Sequence, residues 1–522
     1  MSDIYKTDVL IIGSGIGGAT AALELAQNDI DVLLVTRAQE PEESNTYYAQ
    51  GGIIYRGEND SPECLAEDLF KAGAEYNNPI AVQCIVKDGS ELVKKILIDK
   101  LQVPFDRNEN GDFSLIKEGA HTSRRILHTV DITGMSIEIA LLNTLKTYPN
   151  VTILTGHTAI DLLTPSHHSN DPLWIYKPQS CVSAYVLNQQ TGEVIRCLSK
   201  NTILATGGLG DIFLMTSNPK GSRGDGLAMA YRASARVINC EFIQFHPTTF
   251  FHRHAPNFLI SEAVRGAGAR LVDSGGEPFM KRFSPEWKDL APRDIVARGI
   301  HTIMVEQDLT NVYLDLTSYM SATMIKNRFP TIYNQLKGYN VDITTDLVPV
   351  VPAAHYFCGG VWVDGWGCTT ISDLYAVGEV SCTGVHGANR LGSASLLEGL
   401  VWGYRAAQHI MEKIQSQDII EEQSIPEWQF AGGDLPDMAL IQQDMSSIKH
   451  IMWNYVGLIR NPKRLERAWN ELRNLEFQIE QFYRMTRITD GLIGLRNAVR
   501  SALIVTAAAW ANKKSIGCHY LE

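Results

Sequence analysis

Residues 13–18 have the composition and spacing of a turn that binds phosphate. The turn consists of Gly13, Ser14, Gly15, Ile16, Gly17 and Gly18. It lies between an apolar run, residues 8–12, and a segment with helical spacing, residues 19–27. In such a G-x-G-x-x-G turn the first glycine makes the tight bend and the second lets the backbone approach a pyrophosphate. The third lets the following helix, whose N-terminus faces the anion, pack on the strand. The pattern predicts a dinucleotide site; the alternative is a glycine-rich turn without a ligand.

The residues after the second apolar strand, residues 31–35, leave two cofactors open. Thr36 and Arg37 stand where an acidic residue usually binds the ribose, and on this fingerprint alone an arginine favours NADP. A polar, glycine-rich segment that follows favours FAD, because it can lie along an isoalloxazine ring and hydrogen-bond its edge. That segment consists of Ser44, Asn45, Thr46, Tyr47, Tyr48, Ala49, Gln50, Gly51 and Gly52.

Two later strands also end in turns that could close on the same cofactor. Residues 201–208 are predicted to form a strand that ends in Ala205, Thr206, Gly207 and Gly208. Residues 374–380 are predicted to form another, ending at Gly378 and Glu379. The nucleotide site is therefore expected to be assembled from distant parts of the chain.

Eight motifs follow one another in order along nearly the whole chain. They are SNTYYAQGG, LATGG, RGDG, EFIQFHPT, SEAVRGAG, PRDIVARGI, AVGEV and HGANRLGSASLLEGLVWG. Together they resemble the flavoprotein family of succinate dehydrogenase, fumarate reductase and L-aspartate oxidase. The resemblance implies that the cofactor is FAD. It also implies FAD contacts from Ser14, Gly15, Arg37, Ser44, Thr46, Gln50, Gly51, Asp225, Glu379, Arg390, Ser395 and Leu396.

Position 45 separates the branches of this family. The respiratory members carry a histidine here that bonds covalently to the flavin, whereas this chain carries Asn45. The resemblance therefore implies that FAD is held without a covalent bond. In family terms, the missing bond lowers the flavin potential and suits the oxidation of an amine.

A C4 dicarboxylate needs cations and hydrogen-bond donors at both ends, and arginine is the natural partner because its fork matches a carboxylate. Taken singly, a histidine is more often a satisfied core or surface residue, and an arginine a solvated charge. The family motifs around these residues favour function instead. By resemblance, His246, His355 and Arg390 hold the two carboxylates.

The resemblance also makes Arg293 the residue that exchanges a proton with the substrate. An arginine holds its proton tightly in water, so this role needs neighbours that relay charge. Glu262 and Arg265 match the family's proton relay. Ser261 stands where relatives have threonine, which keeps the hydroxyl group.

Glu118, in KEGAHTSRRILH, bears on the choice between an amine and succinate. A site for two carboxylates should repel a further anion, so a carboxylate there makes sense if the substrate carries an ammonium group. The segment resembles the aspartate oxidase branch. The alternative is a solvated surface glutamate.

These residues must be positioned by a fold of three parts. The α/β class is predicted, with a Rossmann-like FAD-binding domain formed by residues 1–239 and 353–425. Residues 240–352, which mix loops, scattered aromatics and short amphipathic pieces, are predicted to form an inserted α+β capping domain. Apolar residues recur with helical spacing from about residue 430, which predicts a C-terminal helical bundle over residues 426–522.

Composition limits the class of protein further. The net charge of −12 argues against a nucleic-acid partner. The nine cysteines contain no C-x-x-C pair or metal spacing, which predicts reduced thiols, no metal site and a cytoplasmic location. Residues 9–26 contain Glu24 and four glycines and are interpreted as strand, turn and helix rather than a signal peptide; no other apolar run predicts a membrane span.

The activity implied by the resemblance is FAD-dependent oxidation of L-aspartate to iminoaspartate, with dioxygen or fumarate as electron acceptor. In the family this is the first step of NAD biosynthesis through quinolinate, and quinolinate synthase is a partner to which iminoaspartate could be handed over. Two alternatives stay open. One is a soluble fumarate reductase or the flavoprotein subunit of a respiratory complex, against which Asn45 and Glu118 weigh. The other is a flavin-binding scaffold without catalysis.

Overall fold

A computed structural model describes residues 4–255, 258–430 and 432–522. Within these ranges the strands β1 to β17 are Ile4–Ile12, Val32–Val35, Ile53–Ile54, Ile126–Leu127, Val151–Leu154, His157–Leu163, Ser183–Asn188, Val194–Leu204, Val237–Ile238, Ile243–Phe250, Phe258–Leu259, Arg270–Val272, Val312–Asp315, Val348–Phe357, Gly360–Trp362, Leu374–Ala376 and Ser381–Cys382. The α-helices α1 to α14 are Ile16–Ala26, Pro62–Ala72, Pro79–Leu92, Thr133–Leu145, Pro165–His168, Asp225–Arg232, Glu262–Gly266, Arg293–Glu306, Ala322–Arg328, Pro330–Lys337, Ala394–Lys413, Met438–Val456, Pro462–Met485 and Asp490–Ala511.

A seven-stranded sheet carries the nucleotide turn. Its order is β5-β2-β1-β8-β7-β6, with β16 also paired to β8. The central strand β1 runs parallel to both β2 and β8, and its residues 9–12 are buried. Apolar residues on both faces are typical of parallel strands covered by helices. The glycine turn follows the carboxyl end of β1, which is where ligands bind in such sheets.

Helix α1 packs closely on this strand. Gly13 has a φ of +115°, a conformation that side chains rarely adopt. A Cβ on Gly18 would collide with the carbonyl oxygen of Gly13, so the third glycine of the turn permits the close approach of helix and strand. On its other side α1 contacts α11.

A second sheet, of five antiparallel strands, lies in the middle of the chain. Its order is β11-β10-β14-β13-β12. Its own apolar core is built from residues between positions 250 and 350, including Phe250, Leu271, Val296, Leu314 and Val350. Pairing of β10 with β14 sets His246 opposite Ala353, with a register shift before Thr249. This pairing brings His246 and His355 to the same part of the sheet.

The chain ends in three long helices, α12, α13 and α14, which pack against one another. Helix α14 is long and apolar enough to cross a membrane by composition, but 78% of its most apolar window is buried inside the protein. Such burial is typical of a core helix, and the same helix contacts α6 next to the seven-stranded sheet.

The predicted α/β class, with a Rossmann-like nucleotide-binding part, is confirmed. The domain boundaries stay a prediction, and β14 runs across the proposed boundary at position 352. All nine cysteines are free thiols.

Candidate functional site

One cavity connects the glycine turn with the predicted substrate residues. Its volume is about 1510 Å³, larger than the roughly 300–1,000 Å³ of a typical small-molecule pocket. Gly13 and Gly15 line one part of it, and His246, Arg293 and Arg390 line another. The cavity therefore has room for a large cofactor together with a small substrate.

At the nucleotide end, two hydrogen bonds from the loop after β2 fix the glycine turn at the start of α1. Thr46 Oγ1 accepts a hydrogen bond from the Ile16 amide at 3.0 Å, and the Ser14 hydroxyl donates to the Pro41 carbonyl at 2.6 Å. The N-cap residue is Gly15, which has no side chain to cap the start of the helix. The helix dipole favours an anion at this end of α1.

Arg37 lies in a network that the sequence did not indicate. Its guanidinium donates to the Lys220 carbonyl at 2.7 Å and pairs with Asp490 at 3.4 Å. Asp490 opens helix α14 and also binds Arg223, and these two arginines hold its pKa below the usual range although burial opposes them. An acidic group therefore reaches the end of β2 from the C-terminal part of the chain.

Asn45 is fixed by two polar neighbours. Its amide nitrogen donates to Glu379 Oε2 at 2.9 Å, and the Asn218 amide donates to Asn45 Oδ1 at 3.0 Å. Glu379 Oε1 accepts a further hydrogen bond from the Phe357 amide at 2.9 Å. Burial raises the pKa of Glu379 to about 7. No local sequence pattern indicates Asn218, whose contact with Asn45 depends on tertiary packing.

The structure brings together almost all of the predicted cofactor residues. Three of them, Gly18, Tyr47 and Gly208, do not line the cavity; Gly18 serves the packing of α1. The predicted cofactor residues that do line it are Gly13, Ser14, Gly15, Ile16, Gly17, Arg37, Ser44, Asn45, Thr46, Tyr48, Ala49, Gln50, Gly51, Gly52, Ala205, Thr206, Gly207, Asp225, Glu379, Arg390, Ser395 and Leu396.

Several buried polar atoms along the cavity have no hydrogen-bond partner within the described parts of the chain. They are Gln50 Oε1, Thr206 Oγ1, Asn218 Oδ1, Gln244 Oε1 and Arg390 Nε. Buried polar atoms are nearly always paired in folded proteins, so these atoms call for partners from bound molecules. Their mixture of acceptors and donors fits a flavin nucleotide and a carboxylate.

The other end of the cavity is a cluster of two histidines and two arginines. His246 lies on β10 and His355 on β14, with ring centroids 5.3 Å apart. Arg293 is the first residue of α8, and Arg390 precedes α11. Burial and the neighbouring arginines hold the pKa of both histidines well below the usual value. The histidines are therefore neutral hydrogen-bonding groups, and the arginines carry the charge.

Arg293 is connected to a partly buried acid and a second arginine. Its Nε donates to Glu262 Oε2 at 3.0 Å, and Arg265 approaches the same carboxylate at 4.0 Å. Burial opposes ionisation of Glu262, but the two arginines outweigh it and keep its pKa below the usual value. Burial lowers the pKa of Arg265. Ser261 lines the cavity beside this group, and its hydroxyl accepts from the Ala263 amide at 3.3 Å.

Arg390 is held by its surroundings rather than by an acid. Its Nη1 donates to Ser395 Oγ at 3.0 Å, and its guanidinium lies 4.5 Å from the centre of the Tyr356 ring. The Gln244 side chain donates to the Arg390 carbonyl at 2.9 Å. Burial and the charge of Arg293 lower the pKa of Arg390. A carboxylate in the cavity would offset the cost of burying the Arg390 charge close to Arg293.

Glu118 lies at the edge of this cluster and lines the same cavity. Its Oε2 accepts a hydrogen bond from the Ser393 hydroxyl at 2.8 Å. In the same turn, His121 Nε2 contacts the Gly392 carbonyl at 3.0 Å. The sequence indicated neither Ser393 nor His121 as a site residue, because only the folded chain brings positions 118–121 next to 392–393.

Comparison with known proteins places the chain among flavoproteins. A family model described as "FAD binding domain" matches residues 8–396. The L-aspartate oxidase of Pseudomonas aeruginosa is 39% identical over 529 residues, covering 100% of this chain and 96% of the relative. That of Vibrio cholerae is 40% identical, covering 99% and 95%. Among solved structures, the FrdA subunit of Escherichia coli quinol fumarate reductase has a TM-score of 0.89 at 25% identity, covering 100% of this chain and 92% of that one.

The raised pKa of Glu379 predicts a pH-dependent stability of the ligand-free protein. A glutamate titrates near pH 4.3 in an unfolded chain, whereas Glu379 titrates at about 7 in the fold. Between these values the folded state keeps a proton that the unfolded state has lost, so the unfolding free energy falls as pH rises. We expect Glu379→Gln to become more stable relative to the unmodified protein by about 1–2 kcal/mol between pH 5 and 8.

Urea unfolding at several pH values measures this difference. The exposed Glu58, substituted in Glu58→Gln, is the matched control and should show no such trend. A difference between Glu379→Gln and the unmodified protein that stays constant with pH would contradict a protonated Glu379.

Proposed function

The chain belongs to the L-aspartate oxidases within the FAD-binding flavoproteins, and from this membership we propose that it oxidises L-aspartate to iminoaspartate. One observation carries the proposal: a single cavity joins the glycine turn to the cluster of His246, Arg293 and Arg390, with Glu118 at its edge. FAD, when bound, supplies the acceptor for a hydride.

We propose that FAD is held by the cavity-lining residues of the glycine turn, of the segment 44–52 and of the later strand-end turns. No covalent bond is expected, because position 45 carries an amide side chain, which is already hydrogen-bonded to Glu379 and Asn218. Residues 1–239 and 353–425 would form the FAD-binding domain and residues 240–352 the capping domain. Residues 426–522 would form the helical bundle. The separate apolar core between positions 250 and 350 supports the middle unit.

The substrate is bound through its two carboxylates. Arg265 and Arg390 are buried and Arg293 is partly buried. These three arginines outnumber the two nearby acids, Glu262 and Glu118, so this end of the cavity carries an excess of positive charge. The two carboxylates of aspartate offset that charge in a partly desolvated site, where the attraction is stronger than in water. The neutral His246 and His355 add hydrogen bonds that fix the orientation of the carboxylates.

Arg293 is proposed to exchange the proton of the reaction. The α-hydrogen of aspartate leaves with its electron pair to the acceptor, and the nitrogen loses a proton, which leaves the carbon–nitrogen double bond of iminoaspartate. An arginine holds its proton tightly, so Arg293 can take up the substrate proton only as its own proton passes on. Glu262, whose Oε2 lies 3.0 Å from Arg293 Nε, is the acceptor for that proton. Arg293 and Arg265 keep Glu262 ionised and therefore able to accept it.

Glu118 provides the only proposed contact that depends on the amino group. A carboxylate beside two carboxylate-binding arginines is unfavourable for succinate but attracts the ammonium group of aspartate. Its place in the cavity, hydrogen-bonded to Ser393, argues against the alternative of a solvated surface residue.

Dioxygen or fumarate is proposed to take up the electrons, and fumarate suits the same site because it carries two carboxylates. The product would enter NAD biosynthesis through quinolinate, and the ready hydrolysis of an imine favours direct transfer to quinolinate synthase. The nine free cysteines support a location in the reducing cytoplasm. A soluble fumarate reductase is the second candidate, which the shared fold with FrdA favours and Glu118 disfavours.

Without a covalent bond, the flavin should separate from the denatured protein. We expect acid precipitation of the purified yellow protein to leave all of the flavin absorbance in the supernatant. Colour that stays in the washed pellet would show a covalent bond and contradict the proposal for position 45.

Replacing Arg293 by leucine removes the group that exchanges the proton while leaving the nucleotide end intact. We expect Arg293→Leu to lower aspartate-dependent ammonia release by about 10²-fold or more, with the flavin content unchanged. Arg282→Leu is the control, because Arg282 pairs with Glu306 on the surface and does not line the cavity. Unchanged turnover in Arg293→Leu would remove this residue from the mechanism.

Replacing Glu118 by glutamine removes the negative charge with little change of shape. We expect aspartate oxidation to weaken by roughly ten- to thirtyfold, about 1–2 kcal/mol, while fumarate reduction stays the same or improves. Steady-state kinetics with both substrates on one preparation measures the two effects. Equal loss of both activities would make Glu118 a structural residue and would leave the amine preference without its main support.

A further inference from the structure

Ser393 holds a backbone conformation that a side chain makes costly. It precedes helix α11 with a φ of +57° and a ψ of 5°, the left-handed region that favours glycine. Strain of this kind persists where the surrounding structure requires it, and it is concentrated at functional sites. The neighbouring residue Gly392 shows that the chain uses glycine in this loop, so the serine at position 393 needs its own explanation.

The hydroxyl group of Ser393 supplies that explanation. It donates to Glu118 Oε2 at 2.8 Å and accepts from the Gly52 amide at 3.2 Å. Ser393 is only 9% exposed; its hydrogen bond from Gly52 is buried, and its hydrogen bond to Glu118 is partly buried. A hydrogen bond to an ionised group is stronger than one between neutral groups. Glycine would relieve the backbone strain but could form neither bond.

The Glu118 carboxylate lies in a slot with glycine on two sides. A Cβ on Gly51 would lie 2.8 Å from Glu118 Oε1, and a Cβ on Gly392 would lie 2.6 Å from Glu118 Oε2. The latter position is also 3.5 Å from Arg293 Nη2. The carboxylate is therefore close to the cationic cluster, toward which the opposite charge of Arg293 attracts it.

We propose that Ser393 is a positioning residue that keeps Glu118 in place for the amino group of the substrate and so sets the preference for amino dicarboxylates. The inference rests on the proposed function. With one oxygen held by Ser393, the carboxylate stays between Gly51 and Gly392 and leaves Arg293 to the substrate. Without the hydroxyl, the Glu118 carboxylate is free to leave the position in which it meets the ammonium group, while the arginines still bind the two carboxylates.

Two substitutions at position 393 separate the hydroxyl from the backbone conformation. Ser393→Ala removes the hydroxyl and keeps the strain, whereas Ser393→Gly removes both. We expect the ratio of kcat/KM for aspartate to kcat/KM for fumarate to fall about tenfold in each, since a lost charge-assisted hydrogen bond is of that size. Flavin content should not change. Thermal unfolding should find Ser393→Gly more stable than Ser393→Ala.

The double variant Glu118→Gln with Ser393→Ala tests whether Ser393 acts through Glu118. If it does, adding Ser393→Ala to Glu118→Gln leaves the ratio where Glu118→Gln alone has set it, because coupled residues are not additive. Binding of succinate, followed by the absorption change of the bound flavin, should not weaken in either position-393 variant. Ser416→Ala, which removes an exposed hydroxyl group, is the matched control.

An unchanged aspartate-to-fumarate ratio in both position-393 variants would overturn the inference. So would an equal fall of both activities together with the flavin content, which would show a purely structural role. In either case aspartate oxidation by the unmodified enzyme would still stand, so the proposed function would survive. Absence of aspartate oxidation in the unmodified enzyme, in contrast, would overturn the proposed function and this inference together.

Discussion

The excess of buried positive charge at one end of the cavity is the constraint on which the site depends. Arg293, Arg390 and Arg265 outnumber the two acids beside them, Glu262 and Glu118. Burial makes such charges costly unless they are paired. His246 and His355 are neutral and add no further positive charge. Arg390 Nε has no hydrogen-bond partner in the described parts of the chain. A small dianion completes this arrangement better than any neutral ligand.

The fold brings this charge next to the nucleotide site by joining segments that are distant in sequence. The antiparallel sheet supplies His246 and His355 through the pairing of β10 with β14, and helix α8 supplies Arg293 at its start. The segment before α11 supplies both Arg390 and Ser393, while the glycine turn after β1 faces the same cavity. Because the glycine turn follows a strand of the seven-stranded sheet and both histidines lie on the five-stranded sheet, a change in the packing of the two sheets would alter the distance between the two ends of the site.

Local patterns were sufficient to predict the parts of the protein that are continuous in sequence. The glycine turn, the apolar strands beside it and the α/β class follow from spacing and hydrophobicity, and the family motifs pointed to residues that the structure brings into one cavity. Contacts between distant segments could not be predicted. Asp490 beside Arg37, Asn218 beside Asn45 and Ser393 beside Glu118 each depend on tertiary packing, and no local pattern marks them.

Hydride transfer from aspartate is measured by the rate of anaerobic reduction of the bound flavin, with unlabelled L-aspartate compared with aspartate deuterated at the α-carbon. We expect both to bleach the flavin completely and the deuterated substrate to do so more slowly, because the α-hydrogen leaves as a hydride. Bleaching by succinate without any bleaching by aspartate would contradict this expectation and would make the protein a dicarboxylate oxidoreductase with no role for the amino group.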